Sequence, residues 1–281
     1  MPRGPMPAWV PVIAGLVLVV AIGGPLLERR LKGGAARAAT PPSTGVAETG
    51  RVMPPPADLP PIRFTEVKLG PSPVSRFAFD RAVPGHVVGC EAESHDGGRT
   101  WTTTAAASGR APCGDPMPVP VSAPLPGAVS AWTQASDGTA YAAIGETGRR
   151  PHLRWAPGLN GPWRVVATPG DVRALAADGT RIYAAAEMLG RGQRDIWDWT
   201  RWPSNVAIRG IDGVGATVVA WGAATGTEYG GYVVSRDGGV RLQAVAHGPR
   251  PTWAALDPHR PSDLLVVGED GSLTRLQMPP G

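Results

Sequence analysis

Tyr141-Ala142-Ala143-Ile144-Gly145 is a short β-prone run whose pattern recurs along the chain. Similar runs cover Tyr183–Glu187, Val218–Gly222 and Leu264–Gly268, starting about 40 residues apart, and His86–Cys90 is an earlier, more distant copy. Repetition at this pitch, with four short strands per unit, is typical of a β-propeller blade.

Each of these runs has further strand candidates around it. Before it lies a second run that ends in a turn, as in Phe77–Asp80, and after it come runs such as His152–Trp155. Asp-Gly, Pro-Gly and Gly-Gly pairs separate them, which favours strands and tight turns over helices. A β-sandwich would explain the strands but not their recurrence.

Five units fit between Pro71 and Gly281. The first is stretched by an insertion rich in Pro, Ala and Gly, and the last ends after its third strand, Ser272–Gln277. Ile62–Leu69 could supply the missing outer strand and remove an exposed sheet edge. The sequence therefore predicts an all-β fold over residues 61–281, a β-propeller with five blades, or six because the unit boundaries are irregular.

Two copies of a glycine-rich turn motif stand out within these units. The first is Ser94-His95-Asp96-Gly97-Gly98-Arg99-Thr100-Trp101, and the second, Ser235 to Leu242, keeps Ser235, Asp237 and Gly239 but replaces the tryptophan by leucine. Asp can accept backbone N–H groups within its own turn, and glycine can adopt a positive φ. We therefore expect both copies to be structural, through Ser94, Asp96, Gly98 and Trp101 in the first and Ser235, Asp237 and Gly239 in the second.

The motif Ser/Thr-x-Asp-x-Gly-x-Thr-Trp resembles the Asp box of bacterial-neuraminidase-type (BNR) repeats. The chain thus looks similar to Asp-box β-propellers, which include sialidase-like, sortilin-like and photosystem II assembly factor-like folds. That resemblance implies either a binding or assembly module or a sialidase-like glycoside hydrolase.

A sialidase needs an arginine triad, a Tyr nucleophile with a nearby Glu, and an acid/base Asp. The Arg-Ile-Pro signature of such enzymes is absent, and Glu228-Tyr229 is the only neighbouring Glu/Tyr pair. The histidines show no metal-ligand spacing, and no phosphate-binding glycine loop occurs. We therefore expect no cofactor and no metal site, and a non-catalytic binding module, with the sialidase-like hydrolase as the alternative.

The segment Arg191–Trp202 holds three tryptophans and three arginines. If these side chains are exposed, they form a surface for a protein or carbohydrate ligand, with Arg194, Trp197 and Trp199 as anchors. If they are buried, the rings pack between sheets, as large aromatic side chains commonly do.

Residues 7–27 contain no charged side chain, which predicts a membrane-spanning helix. A cleaved signal peptide is the rival interpretation, but Ala36-Arg37-Ala38 lies far beyond the apolar run. Residues 28–60 are rich in Pro, Ala and Gly and predict a linker. The formal net charge of +4 comes from the first 40 residues, so the rest of the chain is neutral, which argues against a nucleic-acid partner.

Orientation in the membrane rests on two conflicting signals. The basic residues after the apolar segment would place the rest of the chain in the cytoplasm. However, Cys90 and Cys113 are the only cysteines and bracket one hairpin, which favours a disulfide and an oxidising, extracytoplasmic compartment. Two buried thiols are the alternative. We expect the propeller on the outer side of the cell membrane, with a Cys90–Cys113 disulfide.

Overall fold

The computed structural model describes residues 50–53, 59–104, 127–145, 150–203, 206–224 and 231–280. These residues form strands, turns and bends and contain no helix, so the all-β prediction is confirmed for them. Among them, no helix has the length and hydrophobicity needed to cross a membrane. The predicted membrane segment, residues 7–27, lies outside the described residues.

The described strands form five sheets, and four of the five are built mainly from consecutive antiparallel strands of one sequence unit. The first contains β3 (Phe77–Phe79), β4 (Val87–Gly89), β5 (Ala92–Ser94) and β6 (Thr102–Thr103). The second contains β7 (Ala128–Gln134), β8 (Ala140–Gly145), β9 (His152–Ala156) and β10 (Arg164–Val165). The third contains β11 (Ala174–Asp178), β12 (Arg181–Ala185), β13 (Met188–Gln193) and β14 (Ile196–Arg201). The fourth contains β15 (Val206–Val214), β16 (Thr217–Ala224), β17 (Tyr232–Ser235) and β18 (Gln243–Ala244).

The fifth sheet joins the two ends of the folded region. It contains β19 (Pro251–Asp257), β20 (Arg260–Gly268) and β21 (Ser272–Gln277), and β2 (Thr65–Pro71) completes it from the N-terminal side. β2 runs antiparallel to β21, with Thr65 opposite Gln277. The prediction that the segment before the first unit supplies the missing outer strand is therefore confirmed.

A short strand lies within the range predicted as linker. β1 (Arg51–Val52) pairs in parallel with the outer edge of β14. Gly50 permits this approach because a Cβ there would lie 2.3 Å from the carbonyl oxygen of Trp197. The outer edge of β14 offers unpaired backbone groups, and β1 satisfies some of them, including a hydrogen bond from Met53 N to the carbonyl oxygen of Trp199 at 2.9 Å.

The first strands of the five described sheets, β3, β7, β11, β15 and β19, line one cavity. β11 contacts β7 and β15, and β19 contacts β15 and β3. Their C-terminal ends meet, since Leu256 N donates to Asp212 and Arg81 donates to the carbonyl oxygen of Ala177. The sheets are thus arranged around the cavity, each with its first strand innermost.

The turns around Asp96 and Asp237 have the same internal hydrogen bonds. In the first, the Ser94 hydroxyl donates to Asp96 at 2.8 Å, and the backbone N–H groups of Arg99 and Thr100 donate to the same carboxylate at 2.9 Å. Ser235 and Asp237 repeat the hydroxyl-to-carboxylate bond at 2.8 Å. Both turns are stabilised locally.

Each turn also holds two sheets together. Gly98 has a φ of 89°, and a Cβ there would lie 3.0 Å from Leu265 in the fifth sheet. Gly239 has the same φ and meets Leu189 of the third sheet at the same distance. Thr200 donates to the carbonyl oxygen of Gly239 at 3.0 Å. The two turns therefore pack against neighbouring sheets, where a side chain at either glycine would be crowded.

Candidate functional site

The central cavity has a volume of about 490 Å³. Aromatic side chains form much of its wall. Trp253 donates from its indole nitrogen to the carbonyl oxygen of Phe77 at 2.8 Å, and its ring meets Trp221 edge to face at 6.0 Å. The Trp221 ring lies over Gly210, where a Cβ would come within 2.2 Å of it. The absence of a side chain at Gly210 thus leaves room for this ring on the cavity wall.

Four arginines line the cavity, and Asp212 is the only acidic residue among its described lining residues. Arg76 and Arg173 directly precede β3 and β11, and Arg209 occupies a register shift in β15. The starts of the first strands lie together, because Trp253 bonds to Phe77 and the Arg76 guanidinium lies 5.3 Å from the Trp253 ring centre. Because the C-terminal ends of the first strands meet at the other end, Arg76 and Arg173 lie at the same end of the cavity, and Arg209 lies within β15.

The contacts of these arginines differ. Arg209 forms an ion pair with Glu269 at 3.7 Å, in which both side chains are about half exposed. Arg173 is exposed, and no carboxylate of the described residues forms an ion pair with it. A guanidinium in this position can bind a carboxylate or phosphate through two parallel hydrogen bonds.

The opposite end of the cavity holds the fourth arginine and the acid. Arg81 forms an ion pair with Asp178 at 3.6 Å. The two oxygens of Asp212 accept hydrogen bonds from the backbone N–H groups of Gly213 and Leu256, at 2.8 and 2.9 Å. Burial outweighs these hydrogen bonds and raises the pKa of Asp212 to about 6. These contacts tie β15 to β19, which gives Asp212 a structural role.

The described lining residues include no His, Cys, Glu or Tyr, and their acid and hydroxyl groups are Asp212, Ser130 and Thr133. Tyr141, Tyr183 and Tyr232, the tyrosines within the described ranges, are fully buried. Glu228 and Tyr229, the only neighbouring Glu/Tyr pair of the sequence, lie outside the described residues.

The prediction that Trp197 and Trp199 form part of an exposed contact patch is wrong. Trp197 and Trp199 retain 2% and 1% of their exposure and belong to the core between the second and third sheets. Both lie on one face of β14, opposite Gly192 and Gly190 of β13. Because these glycines have no side chains, the two rings can lie flat against the backbone of β13. The segment is a β-hairpin whose two rings pack in the core, which explains the burial.

Arg194 is exposed at the tip of this hairpin, with a φ of 54°. Its backbone N–H donates to the Tyr141 hydroxyl at 2.9 Å, and its guanidinium lies 3.5 Å from Asp137. These contacts fasten the hairpin tip to the second sheet. Of the three predicted anchors, only Arg194 is accessible to a partner.

A second group of side chains was missed by the spacing argument. His86, Glu93 and His95 each direct a potential ligand atom to the same place, with these atoms all within 4.8 Å of one another.

Cys90 follows β4, but Cys113 lies outside the described residues, so the disulfide stays a prediction.

No protein-family model matches the chain, and no curated protein matches it either. Among solved structures, a gluconolactonase from Xanthomonas campestris is 13% identical, with a TM-score of 0.44 over 80% of this chain and 97% of its own. YCF48 bound to a D1 peptide is 14% identical, with a TM-score of 0.39 over 80% and 98%. The aldose sugar dehydrogenase from Streptomyces coelicolor in its PQQ-bound form is 12% identical, with a TM-score of 0.39 over 79% and 100%. Such low identities and scores transfer no substrate or partner to this chain.

Proposed function

We propose that this chain is a five-bladed β-propeller, anchored in the cell membrane through residues 7–27, that acts as a non-catalytic binding module on the extracytoplasmic side. Its central cavity binds an acidic segment of a protein partner. The observation that carries this proposal is the set of four arginines against one aspartate on the described cavity wall.

The closure of the fold supports a count of five blades. The described strands form five sheets, and β2 completes the fifth from the other end of the domain. A sixth blade would need strands of its own, and every described strand already belongs to one of the five sheets. The extracytoplasmic location depends on the proposed Cys90–Cys113 disulfide.

The charge of the cavity differs from that of the chain around it. Beyond the first 40 residues the sequence is neutral, whereas the described cavity lining has four arginines and one aspartate. Asp178 and Glu269 form ion pairs with Arg81 and Arg209, which leaves a smaller local excess of positive charge. Nearby apolar rings reduce the screening by water, which strengthens the attraction to an anion. The volume of about 490 Å³ suits a few side chains or a chain end rather than a folded domain.

Arg173 is the most direct test of the acidic-ligand proposal. The full chain in detergent is titrated with hexaglutamate, and hexaserine and hexalysine serve as matched probes. We expect saturable binding of hexaglutamate alone. Arg173→Ala should weaken it about tenfold or more, since hydrogen bonds to charged groups contribute about 1.5–3 kcal/mol.

Arg260→Ala is the control, because Arg260 is an exposed arginine of β20 outside the cavity. It should bind hexaglutamate as the parent does. Equal binding of hexaglutamate and hexaserine, or unchanged binding by the Arg173 variant, would contradict the proposal.

The sialidase-like hydrolase is the second candidate, and the arginines at one end of the cavity favour it, since such enzymes bind a substrate carboxylate with arginines. The catalytic tyrosine and glutamate have no counterpart among the described lining residues. Incubation of the full chain with a fluorogenic sialoside decides between the two. Turnover that disappears in the Arg173→Ala variant would replace the binding-module proposal by the enzyme.

A further inference from the structure

We propose that His86, Glu93 and His95 bind a divalent transition-metal ion of the zinc class on the first sheet. The site is separate from the cavity, since none of the three residues lines it. Imidazole nitrogens and a carboxylate are the ligand types that Zn²⁺ takes in sites with three protein ligands and one open position.

The strand pairing explains why these residues meet. In the antiparallel pair of β4 and β5, Val87 lies opposite Ser94 and Val88 opposite Glu93. Continuing the same register by one residue places His86 opposite His95. Because side chains alternate between the faces of a sheet, His86, Glu93 and His95 share one face. The two imidazole rings are stacked there, with centres 4.6 Å apart and planes inclined by 5°.

The donor atoms are separated by distances that suit a shared ion. His86 Nε2 lies 3.5 Å from one Glu93 oxygen, and His95 Nε2 lies 3.6 Å from the other. In a tetrahedral zinc site with bonds of about 2.0–2.1 Å, neighbouring donor atoms lie roughly 3.3–3.4 Å apart. The two histidine–glutamate distances are within a few tenths of an ångström of that spacing, and all the donor atoms lie within 4.8 Å of one another.

Asp80 supplies an independent indication. One of its oxygens lies 3.1 Å from His86 Nδ1, and the other accepts a hydrogen bond from Ala82 N at 2.8 Å. Both ring nitrogens of His86 face a carboxylate, since Nε2 lies 3.5 Å from Glu93. When Nε2 binds an ion, the proton of His86 is held on Nδ1, because the Asp80 carboxylate there can only accept. Metal-binding histidines are held in this way by a carboxylate on the other ring nitrogen.

His95 has to move when the ion binds. Two nearly parallel rings cannot both direct an in-plane lone pair at one ion, so one ring must rotate. The His86 side chain is 16% exposed and bonded to Asp80, whereas that of His95 is 66% exposed. The rotation therefore takes place at His95, and the fourth position of the ion is left to water or to a ligand atom from outside the chain.

Isothermal titration of the full, tag-free chain with ZnCl₂, after removal of metals by a chelator, tests the site. We expect one ion per chain. His95→Ala should bind at least about tenfold more weakly, and Asp80→Asn about 10–100-fold more weakly, the usual effect of losing such a carboxylate partner.

His259→Ala is the matched control, since His259 is an exposed histidine outside the group. It should bind Zn²⁺ as the parent does. Because His95 is exposed, its replacement should leave the fold intact, so the result does not depend on whether the Asp80 variant folds. Absence of saturable Zn²⁺ binding, or equal affinities of the His95 and His259 variants, would overturn the proposal.

Discussion

Replacement of Trp199 by alanine should reduce the free energy of unfolding by about 3 kcal/mol. The ring is 1% exposed and stacks on Trp197 with centres 5.8 Å apart. A buried tryptophan removes about 200 Å² from water, which corresponds to about 5 kcal/mol at 25 cal/mol per Å². The indole nitrogen of Trp199 is buried without a hydrogen-bond partner among the described residues. Removing this unpaired group stabilises the folded state by about 1–3 kcal/mol, so the net decrease in the free energy of unfolding is smaller than about 5 kcal/mol.

Trp199→Phe separates these two contributions. It keeps most of the ring but removes the unpaired N–H group, so the loss should stay below about 1.5 kcal/mol. Ile196→Ala is the control in the same hairpin, because Ile196 is 81% exposed and its truncation should change stability by less than about 0.5 kcal/mol.

Urea denaturation of the full chain in detergent, analysed at constant slope, measures all three variants. If Trp199→Ala unfolds with the parent's midpoint, as Ile196→Ala should, the ring is not part of the core and the packing argument fails. Such a result would restore the exposed contact patch as an explanation of the Arg191–Trp202 segment.

Three further predictions concern single groups. Burial would raise the pKa of Asp96, but hydrogen bonds from Thr100, Ser94 and Arg99 outweigh it and lower the pKa to about 2. The contribution of Asp96 to the free energy of unfolding should therefore be present above about pH 4 and disappear as the pH falls through about 2. Asp96→Asn should flatten this part of the stability profile, and an unchanged acid limb would contradict it. The raised pKa of Asp212, about 6, has the opposite effect on stability. The contribution of Asp212 to the free energy of unfolding is complete below about pH 4 and is lost as the pH rises through about 6. Asp212→Asn should remove this loss when both proteins are denatured over the same pH series. Alkylation-shift analysis of protein from intact cells should show Cys90 and Cys113 protected until reduction, whereas two reactive thiols would place the domain in the cytoplasm.

Local sequence determined the features that depend on near neighbours. The Asp96 and Asp237 turns form their hydrogen bonds within five residues, so the motif alone predicts them. The short β-prone runs and glycine turns likewise predict strands, and the segment before the first unit pairs with β21 as expected. Such features can be predicted from the sequence because the interacting residues lie close together in the chain or within one repeat.

The role of the aromatic hairpin required the tertiary structure. Strand alternation by itself places Trp197 and Trp199 on one face but does not say what covers that face. The answer lies in Gly190 and Gly192 across the hairpin and in the second sheet, which buries both rings. The sequence of an aromatic segment does not show whether its rings contact a neighbouring sheet or solvent.

The two proposed sites show the same division more clearly. Arg76, Arg173 and Arg209 belong to three sequence units and line one cavity only because the first strands surround it. His86 and His95 have no metal-binding spacing along the chain, yet the register of β4 and β5 places them side by side. The sequence by itself determined the turns, the order of the sheets and most of the strands, though not β1, because those depend on local hydrogen bonding and on the alternation of side chains. Which charged groups share a cavity or an ion was decided by tertiary structure, since it depends on how distant strands are brought together.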